Sequence, residues 1–435
     1  MSWLFETFSI PLECASSIAI ETSDESLSYE TLAHKIEAKA KELQKQGVFA
    51  GSRVAFIAES NLRTILTLLA LFLLKASPCL LSFRLPKESL PSLLEKARIS
   101  FFIDSKNSSL QKISIQKPLP EAILLFTSGS SGHPKLACLH FSHFMESALG
   151  STLALDLLTP GKWLLSTPLF HVSGLSILFR CLTTKSTILL AHPSSATHLS
   201  FVPTQLLRLL ESNQEFPSLR CLLLGGAPIS ETLLQKALSK NLPIKATYGL
   251  TETASLVTLS SSLSSLHLGK ALPGRELMIN ETGEILVRGK TLFSGYDLGS
   301  DPTLPLTQDG WFATKDLGSF TKEGNLLYKG RKDNLFISGG ENIHPEEIEH
   351  ALNTLPNVLS SIVIPVDDLE FGQRPVAFLH MDSPLPSKEA LQEVLLSKIP
   401  KFCIPIKFLP FPEDLKQELK IQRKKFKEIL TREKW

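Results

Sequence analysis

The sequence predicts an α/β protein with a large N-terminal domain of packed, parallel-rich sheets and helices, followed by antiparallel β-structure and a small α+β C-terminal domain. Three observations support this prediction. As far as Leu224, short all-apolar strands alternate with helical patterns, which is typical of parallel sheets covered on both faces. Turn pairs such as Thr282-Gly283 and Asp309-Gly310 then separate short alternating segments, as in antiparallel hairpins. After Gly330 comes a shorter segment with both helical and strand-like patterns, which is typical of an α+β domain.

The individual elements follow from local periodicity. Apolar residues recur at helical spacing in the helices, whereas the strands are short apolar or alternating runs bounded by turn residues. The sequence predicts, in chain order, a helix at Leu27–Leu43, a strand at Arg53–Ile57, a helix at Thr64–Leu74, strands at Pro78–Phe83, Leu222–Leu224 and Glu284–Arg288, and a basic helix from about Leu415. A boundary near Arg331–Asp333 divides the chain into predicted domains 1–331 and 332–435.

Length and composition exclude several classes of protein. A chain of 435 residues exceeds one ordinary core, so two or three domains are expected. The 45 Lys and Arg nearly balance the 43 Asp and Glu, and 43% of the residues are apolar. The chain is therefore neither disordered nor a nucleic-acid binder driven by bulk charge.

Cysteine spacing and hydropathy indicate the compartment. Six cysteines lie far apart without a C-x-x-C motif, which predicts free thiols in a reducing compartment rather than a disulfide scaffold or structural zinc. The N-terminus carries Glu6 where a signal peptide needs positive charge. The longest apolar stretch, Thr64–Leu74, is far shorter than the roughly 20 residues that span a membrane. We therefore expect a cytoplasmic protein with no integral membrane segment.

The strongest local signal is the segment Leu124–Lys135, in which an apolar strand runs into a loop rich in glycine and hydroxyl groups and closed by a lysine. Glycines allow successive backbone N–H groups to point at one anion, and hydroxyls add donors. Pro134 stands where a Walker A loop requires glycine, so this is a different kind of loop. The sequence favours phosphate binding, and the alternative is a Ser/Gly surface turn.

Together with that loop, four further segments resemble the adenylate-forming acyl-CoA synthetases. In family order they are Tyr248-Gly249-Leu250-Thr251-Glu252, Gly310-Trp311-Phe312-Ala313-Thr314-Lys315-Asp316, Gly330–Asp333 with Ser338–Glu349, and Leu419-Lys420-Ile421-Gln422-Arg423. The resemblance covers nearly the whole chain and implies that the antiparallel part is small and β-barrel-like and that the C-terminal domain is mobile. Two residues depart from the family pattern, because Lys315 and Leu419 stand where glycine is usual.

The middle of the chain resembles the branch of that family that activates o-succinylbenzoate for menaquinone synthesis. The similar segments are Pro168–Arg180, Val202–Leu206 and Leu224–Pro228. Two alternatives stay open from sequence: a CoA ligase for another fatty or aryl carboxylate, and a non-catalytic relative that binds nucleotide without turnover.

The resemblance implies a two-step reaction that uses ATP, Mg²⁺ and coenzyme A. A carboxylate first attacks the α-phosphate of ATP, and a thiol then displaces AMP from the acyl-adenylate. Thr251 is expected at the α-phosphate, Glu252 at Mg²⁺, and Lys420 at the transferring oxygens. The residues expected around the β- and γ-phosphates are Thr127, Ser128, Gly129, Ser130, Ser131, Gly132 and Lys135.

The same resemblance implies the remaining roles. Tyr248 and the Gly225-Gly226-Ala227 backbone would line the adenine slot, Asp316 and Arg331 would bind the ribose, and Asp333 would be the hinge. Gly339 and Gly340 would lie where the thiol approaches, and His171, Ser173 and Arg180 would line the acid pocket. The partners expected are therefore a small carboxylic acid, ATP and CoA, with no nucleic acid, and the protein is expected to be a monomer or homodimer.

Each role has a structural alternative. Glu252 could be an acid at a helix N-terminus, Asp316 a hairpin cap, Asp333 a solvated loop residue, and Lys420 part of a basic helix face. His171 could be a core histidine. Arg180 could cap the C-terminal end of its helix and point to solvent.

Overall fold

The computed structural model describes residues 2–104, 109–114, 119–127, 134–155, 157, 159–212, 214–261, 267–299, 302–417 and 422–432. The helices are α1 Trp3–Thr7, α2 Tyr29–Lys45, α3 Leu62–Leu73, α4 Leu90–Lys96, α5 Phe141–Thr152, α6 Val172–Thr184, α7 Pro203–Glu211, α8 Glu231–Ser239, α9 Pro345–Asn353, α10 Lys388–Leu396 and α11 Arg423–Arg432. Among the described residues, none of these helices combines the length and apolar character that crossing a bilayer requires.

The strands fall into four sheets. In chain order they are β1 Ile18–Glu21, β2 Ser26–Ser28, β3 Arg53–Ile57, β4 Ser77–Leu81, β5 Phe101–Ile103, β6 Leu110–Lys112, β7 Ile123–Thr127, β8 Lys135–Leu139, β9 Lys162–Leu164, β10 Thr187–Leu189, β11 His198–Phe201, β12 Cys221–Leu224, β13 Ile244–Leu250, β14 Ser255–Leu259, β15 Lys270–Ala271, β16 Arg275–Ile279, β17 Glu284–Gly289, β18 Gly295–Asp297, β19 Phe312–Phe320, β20 Leu326–Arg331, β21 Phe336–Ser338, β22 Glu341–Ile343, β23 Val358–Asp368, β24 Gly372–Met381 and β25 Lys407–Pro410.

Two large sheets form most of the molecule. One has the order β18-β8-β7-β4-β3-β5-β6 and the other β15-β14-β13-β12-β11-β9-β10-β1-β2. Their central strands are parallel, as β3, β4, β5 and β7 are in the first and β9 to β13 in the second, and antiparallel strands lie at the ends. The predicted parallel-rich α/β fold is therefore confirmed.

The main core lies between these two sheets and holds the apolar faces of helices α2, α3, α5 and α6. Successive side chains of a strand point to opposite faces of its sheet. In β12, Cys221 and Leu223 point into this core, while Leu222 and Leu224 pack under α7 and α8 on the outer face. A smaller outer core packs α4 against the seven-stranded sheet. All six cysteines are free, and five of them are buried.

The C-terminal part of the N-domain is the antiparallel sheet β16-β17-β19-β20, the part predicted to be barrel-like. A fourth sheet contains β21 to β25. Helices α9 and α10 pack on one of its faces, and α11 packs on the other through Phe426 and Leu430. The two-domain architecture agrees with the prediction, whereas the boundary at 331/332 and the mobility of the C-terminal domain stay predictions.

Candidate active site

The two ends of the predicted phosphate loop lie side by side. Thr127 ends β7 and Lys135 begins β8, and the two residues are paired in register across the antiparallel strands. The Thr127 hydroxyl donates to the Lys135 carbonyl at 3.5 Å. The five loop residues predicted between them, Ser128 to Gly132, lie outside the described residues.

Glu252 lies in a single 3₁₀ turn, Thr251–Thr253, that directly follows β13. Its Oε1 accepts a hydrogen bond from the Tyr296 hydroxyl at 2.5 Å. Burial and the charge of Glu252 raise the pKa of Tyr296, so the phenol keeps its proton and stays a donor. The Lys135 ammonium lies 4.8 Å above the centre of the same Tyr296 ring. Tyr296 therefore joins the phosphate-loop lysine to the candidate metal ligand.

The Glu252 carboxylate suits Mg²⁺. It is partly buried and forms no ion pair with a lysine or arginine in the described part of the chain. Mg²⁺ is usually bound by one or two carboxylates together with substrate phosphates rather than by an all-protein cage. The described residues contain no cluster of three or more His, Cys, Asp or Glu that could hold a metal without a substrate.

Three residues of the predicted nucleotide site form a continuous hydrogen-bonded chain. The Tyr248 hydroxyl donates to Asp316 Oδ2 at 2.7 Å, and Arg331 Nη1 donates to Asp316 Oδ1 at 2.9 Å. Burial raises the pKa of Asp316, and Arg331 and the Tyr248 hydroxyl oppose that shift. Each carboxylate oxygen has two lone pairs, so both can still accept a ribose hydroxyl. Asp316 is buried and lies within β19, so its carboxylate is directed to these two partners and not to solvent.

The Gly225-Gly226-Ala227 segment follows β12 next to Tyr248. A Cβ on Gly225 would lie 2.7 Å from Thr247 Cγ2 and 2.8 Å from the Thr247 carbonyl oxygen, so a side chain does not fit there. Gly226 has φ +81°, a conformation that favours glycine. The backbone of this segment can therefore approach a flat ligand closely.

The predicted hinge residue is held by two cations. Asp333 pairs with Arg331 Nη2 at 3.5 Å and with Lys315 Nζ at 3.4 Å. Lys315 adopts φ +64°, the left-handed conformation that the glycine usual at this position would favour. Its backbone N–H donates to the buried Glu284 at 3.0 Å, and Lys332 Nζ bonds the same carboxylate at 3.1 Å. Lys315 thus adopts the backbone conformation that glycine would favour, and its side chain adds an ion pair to the predicted hinge residue Asp333.

Gly339 and Gly340 form the two-residue turn between β21 and β22, with φ values of +58° and +88°. Paired positive φ values are typical of a tight hairpin turn. A Cβ on Gly339 would approach Phe371 Cδ1 to 2.9 Å, whereas a Cβ on Gly340 meets no atom within 4 Å. A side chain at residue 340 therefore has room in this arrangement.

The three predicted acid-pocket residues lie at the start of α6 and along it, and they are not all brought together. His171 immediately precedes the helix, is exposed, and lies 4.5 Å from the Phe170 ring, so it is not a core histidine. Ser173 is partly buried in the first turn. Arg180 lies nine residues beyond His171, about 13 Å along the helix axis.

Arg180 is buried, with 2% of its surface exposed, so the alternative of a solvent-facing helix cap is wrong. Its guanidinium stacks 4.6 Å from the Trp163 ring centre, and its Nη2 donates to the Ser176 hydroxyl. Its Nη1 has no hydrogen-bond partner among the described residues. Burial lowers the pKa of Arg180 to about 10, so the group remains a cation at neutral pH.

Arg275 shows what a purely structural buried arginine looks like in the same core. Its Nε donates to the Leu256 carbonyl, Nη1 to the Pro273 carbonyl, and Nη2 to Ser147, at 2.7 to 3.1 Å. All three nitrogens are therefore satisfied by the protein. Arg180, by contrast, keeps donor capacity for a ligand.

Lys420 lies outside the described residues. The same motif continues into α11, where Arg423 bonds Glu346 at 2.9 Å and also bonds Glu349. Arg423, the arginine of the K-I-x-R motif, therefore joins α11 to α9 through ion pairs. The predicted basic helix begins later than expected, because Glu413–Gln417 forms a 3₁₀ segment.

Sequence reasoning missed Tyr296 and Glu284. Tyr296 lies in a strand of three residues that pairs with β8, so its proximity to Lys135 depends on a contact between distant parts of the chain. Glu284 begins β17, and an acidic residue at a strand end is too common to indicate a site. No local spacing signals either residue.

Comparisons with known proteins agree with this geometry. The family model for the AMP-binding enzyme matches residues 13–121 and 111–297. A "2-succinylbenzoate--CoA ligase" of Haemophilus influenzae is 36% identical over 449 residues, which cover 98% of each chain.

Solved structures of other proteins resemble this structure over nearly the whole chain. A single-residue variant of E. coli MenE with bound OSB-AMS has a TM-score of 0.88 and 32% identity, covering 100% of this chain and 99% of that one. The o-succinylbenzoate coenzyme A synthetase (MenE) of Bacillus subtilis in complex with ATP and magnesium ion has a TM-score of 0.80 and 29% identity, covering 94% and 95%. Because the family model matches well over half of the chain and these likenesses extend over nearly all of it, the chain belongs to the AMP-binding enzyme family.

Proposed function

We propose that this chain is an ATP-dependent acid–CoA ligase that converts 2-succinylbenzoate, ATP and CoA into 2-succinylbenzoyl-CoA, AMP and pyrophosphate, a step of menaquinone biosynthesis. The names of the curated relative and of the solved neighbours support this assignment. The enzyme acts in the cytoplasm, as a monomer or homodimer, on small-molecule substrates.

The observation that best supports 2-succinylbenzoate as the acid is the buried guanidinium of Arg180. 2-Succinylbenzoate has two carboxylates, of which one reacts and the other must be bound or solvated. A buried charge without a partner is costly, so a site for the second carboxylate needs a cation. Arg180 offers a buried guanidinium whose Nη1 has no partner among the described residues, beside the hydroxyl of Ser176. A monocarboxylate would leave that cation uncompensated.

In the adenylation step an oxygen of the reacting carboxylate attacks the α-phosphorus of ATP, and pyrophosphate leaves. Two anions meet, so positive charge must screen them as the transition state forms. Lys135 and the loop after Thr127 bind the β- and γ-phosphates, and Thr251 donates to the α-phosphate. Glu252 would hold Mg²⁺, which supplies charge neutralisation between the phosphates. Asp316, held by its bonds to Tyr248 and Arg331, orients the ribose.

In the second step the CoA thiol attacks the acyl carbon and AMP leaves. The C-terminal domain turns about Asp333 between the two steps, and the Gly339-Gly340 turn then borders the path of the thiol. The turn protrudes without side chains, so the approach needs no displacement of a neighbour.

Replacing Gly340 with leucine is expected to make acyl-adenylate accumulate, because a side chain at this turn blocks the thiol after adenylation is complete. The new Cβ meets no atom within 4 Å, so the variant should fold, with a backbone strain of about 1–3 kcal/mol from the positive φ. Rapid-quench assays that resolve acyl-AMP from acyl-CoA measure the effect. Loss of adenylation instead would mean that this turn serves the first step.

Pyrophosphate exchange tests the activity itself. A sample incubated with ATP, Mg²⁺, labelled pyrophosphate and 2-succinylbenzoate should form labelled ATP without any CoA. Exchange with no acid at all would reveal contamination. Absence of exchange with every acid offered would support a non-catalytic relative and contradict the proposal.

A further inference from the structure

A single tyrosine joins two groups that the proposed reaction must hold together. Tyr296 lies in β18, which pairs with β8 so that Tyr296 is opposite Ala137, two residues after Lys135. Glu252 lies in the turn that follows β13, and β13 belongs to the other large sheet. The side chain of Tyr296 contacts both, through its hydroxyl and its ring.

The hydroxyl and the ring make different contacts. The hydroxyl donates to Glu252 Oε1 at 2.5 Å, a length typical of charge-assisted O–H···O⁻ bonds. That bond fixes the rotation of the carboxylate and leaves its second oxygen for another partner. The ring face lies 4.8 Å from Lys135 Nζ, within the range in which an aromatic ring attracts a cation.

The strand that carries Tyr296 is rigidly held. The next residue, Asp297, has a fully buried side chain and pairs with Arg53 and Arg98 at 2.7 Å each. On the other side, a Cβ at Gly295 would lie 2.5 Å from the Thr303 carbonyl oxygen, so the backbone packs against its neighbour. The Phe293 ring meets the Tyr296 ring edge-on, with 4.9 Å between ring centres. The Tyr296 side chain is therefore held in place, and the Glu252 and Lys135 side chains are positioned against it.

We propose that Tyr296 is a positioning residue of the adenylation site, whose hydroxyl orients the Glu252 carboxylate towards Mg²⁺ and whose ring holds Lys135 towards the phosphates of ATP. This inference rests on the proposed function, because it assumes those roles for Glu252 and Lys135. Residues that orient a metal ligand typically contribute 10- to 100-fold to metal affinity or activity.

Two substitutions separate the two contacts. Tyr296→Phe removes the hydroxyl and keeps the ring, and Tyr296→Leu removes both. Calorimetric titration with a non-hydrolysable ATP analogue, with and without Mg²⁺, measures binding without turnover. For Tyr296→Phe we expect the affinity for Mg²⁺-nucleotide to fall by about tenfold or more and that for the Mg²⁺-free nucleotide to stay at the wild-type value. For Tyr296→Leu we expect both affinities to fall.

Tyr29→Phe is the matched control, because it removes the hydroxyl of a buried tyrosine far from this site, bonded to the Cys181 and Ser186 carbonyls at 3.2 and 3.0 Å. It should leave the Mg²⁺ dependence unchanged. Glu252→Gln separates this inference from the proposed function. If Glu252→Gln weakens Mg²⁺-nucleotide binding while Tyr296→Phe does not, Tyr296 has no positioning role and the proposed metal ligand stands. If neither variant changes the Mg²⁺ dependence, the metal ligand itself is wrongly assigned.

Discussion

Replacing Lys420 with alanine is expected to slow adenylation by about 10²–10³-fold, because a charge contact made to the oxygens in the transition state is lost. Thioester formation from preformed acyl-adenylate should be affected much less. The proposal places Lys420 at the phosphates in only one of two expected orientations of the C-terminal domain, so the second step should not depend on it.

Single-turnover assays of the two half-reactions check this result. Lys424→Ala is the matched control, because Lys424 is exposed on α11 and belongs to the same basic run. It should leave both half-reactions near the wild-type rate. Equal losses in both half-reactions for Lys420→Ala would contradict the assignment.

Arg180→Gln is expected to change the choice of acid. For 2-succinylbenzoate, kcat/KM should fall at least about tenfold, the factor that corresponds to each 1.4 kcal/mol of lost contact. Turnover of benzoate, which has no second carboxylate, should change little. Steady-state kinetics with both acids measure the difference. Equal small effects on the two acids would leave Arg180 structural.

Stability gives an independent control for the same variant. Arg180 is a buried cation with an unsatisfied nitrogen among the described residues, so its removal should leave Tm within a few degrees of the wild type. Arg275→Gln should lower Tm clearly, because it leaves several carbonyl acceptors without their donor. The opposite pattern would mean that Arg180 supports the fold and Arg275 does not.

Much of the fold was predictable because the local signals agree with the tertiary structure. The strand-like run Arg53–Ile57 is strand β3 without any shift of its ends, and the apolar helix predicted at Thr64–Leu74 is α3, Leu62–Leu73. The family resemblance also put Tyr248 and Asp316 in one nucleotide site, and the structure shows that the two side chains are hydrogen-bonded.

What the sequence could not predict depends on how distant elements pack. The orientation of Arg180 was ambiguous because a helix end is usually at the surface, whereas α6 lies between two sheets and is buried almost all round. The contact between Tyr296 and Glu252 requires a three-residue edge strand to pair with β8, and neither spacing nor periodicity reveals that pairing. The ion pair of Lys315 with Asp333 requires a lysine in a left-handed conformation, which residue type alone argues against.

The most direct test of the account is a panel of carboxylic acids scored for AMP release that requires both ATP and CoA. The account predicts that 2-succinylbenzoate gives the highest kcat/KM, well above benzoate and a medium-chain fatty acid, because only it places a second carboxylate beside Arg180. Benzoate or the fatty acid outperforming 2-succinylbenzoate with the wild-type protein would contradict it.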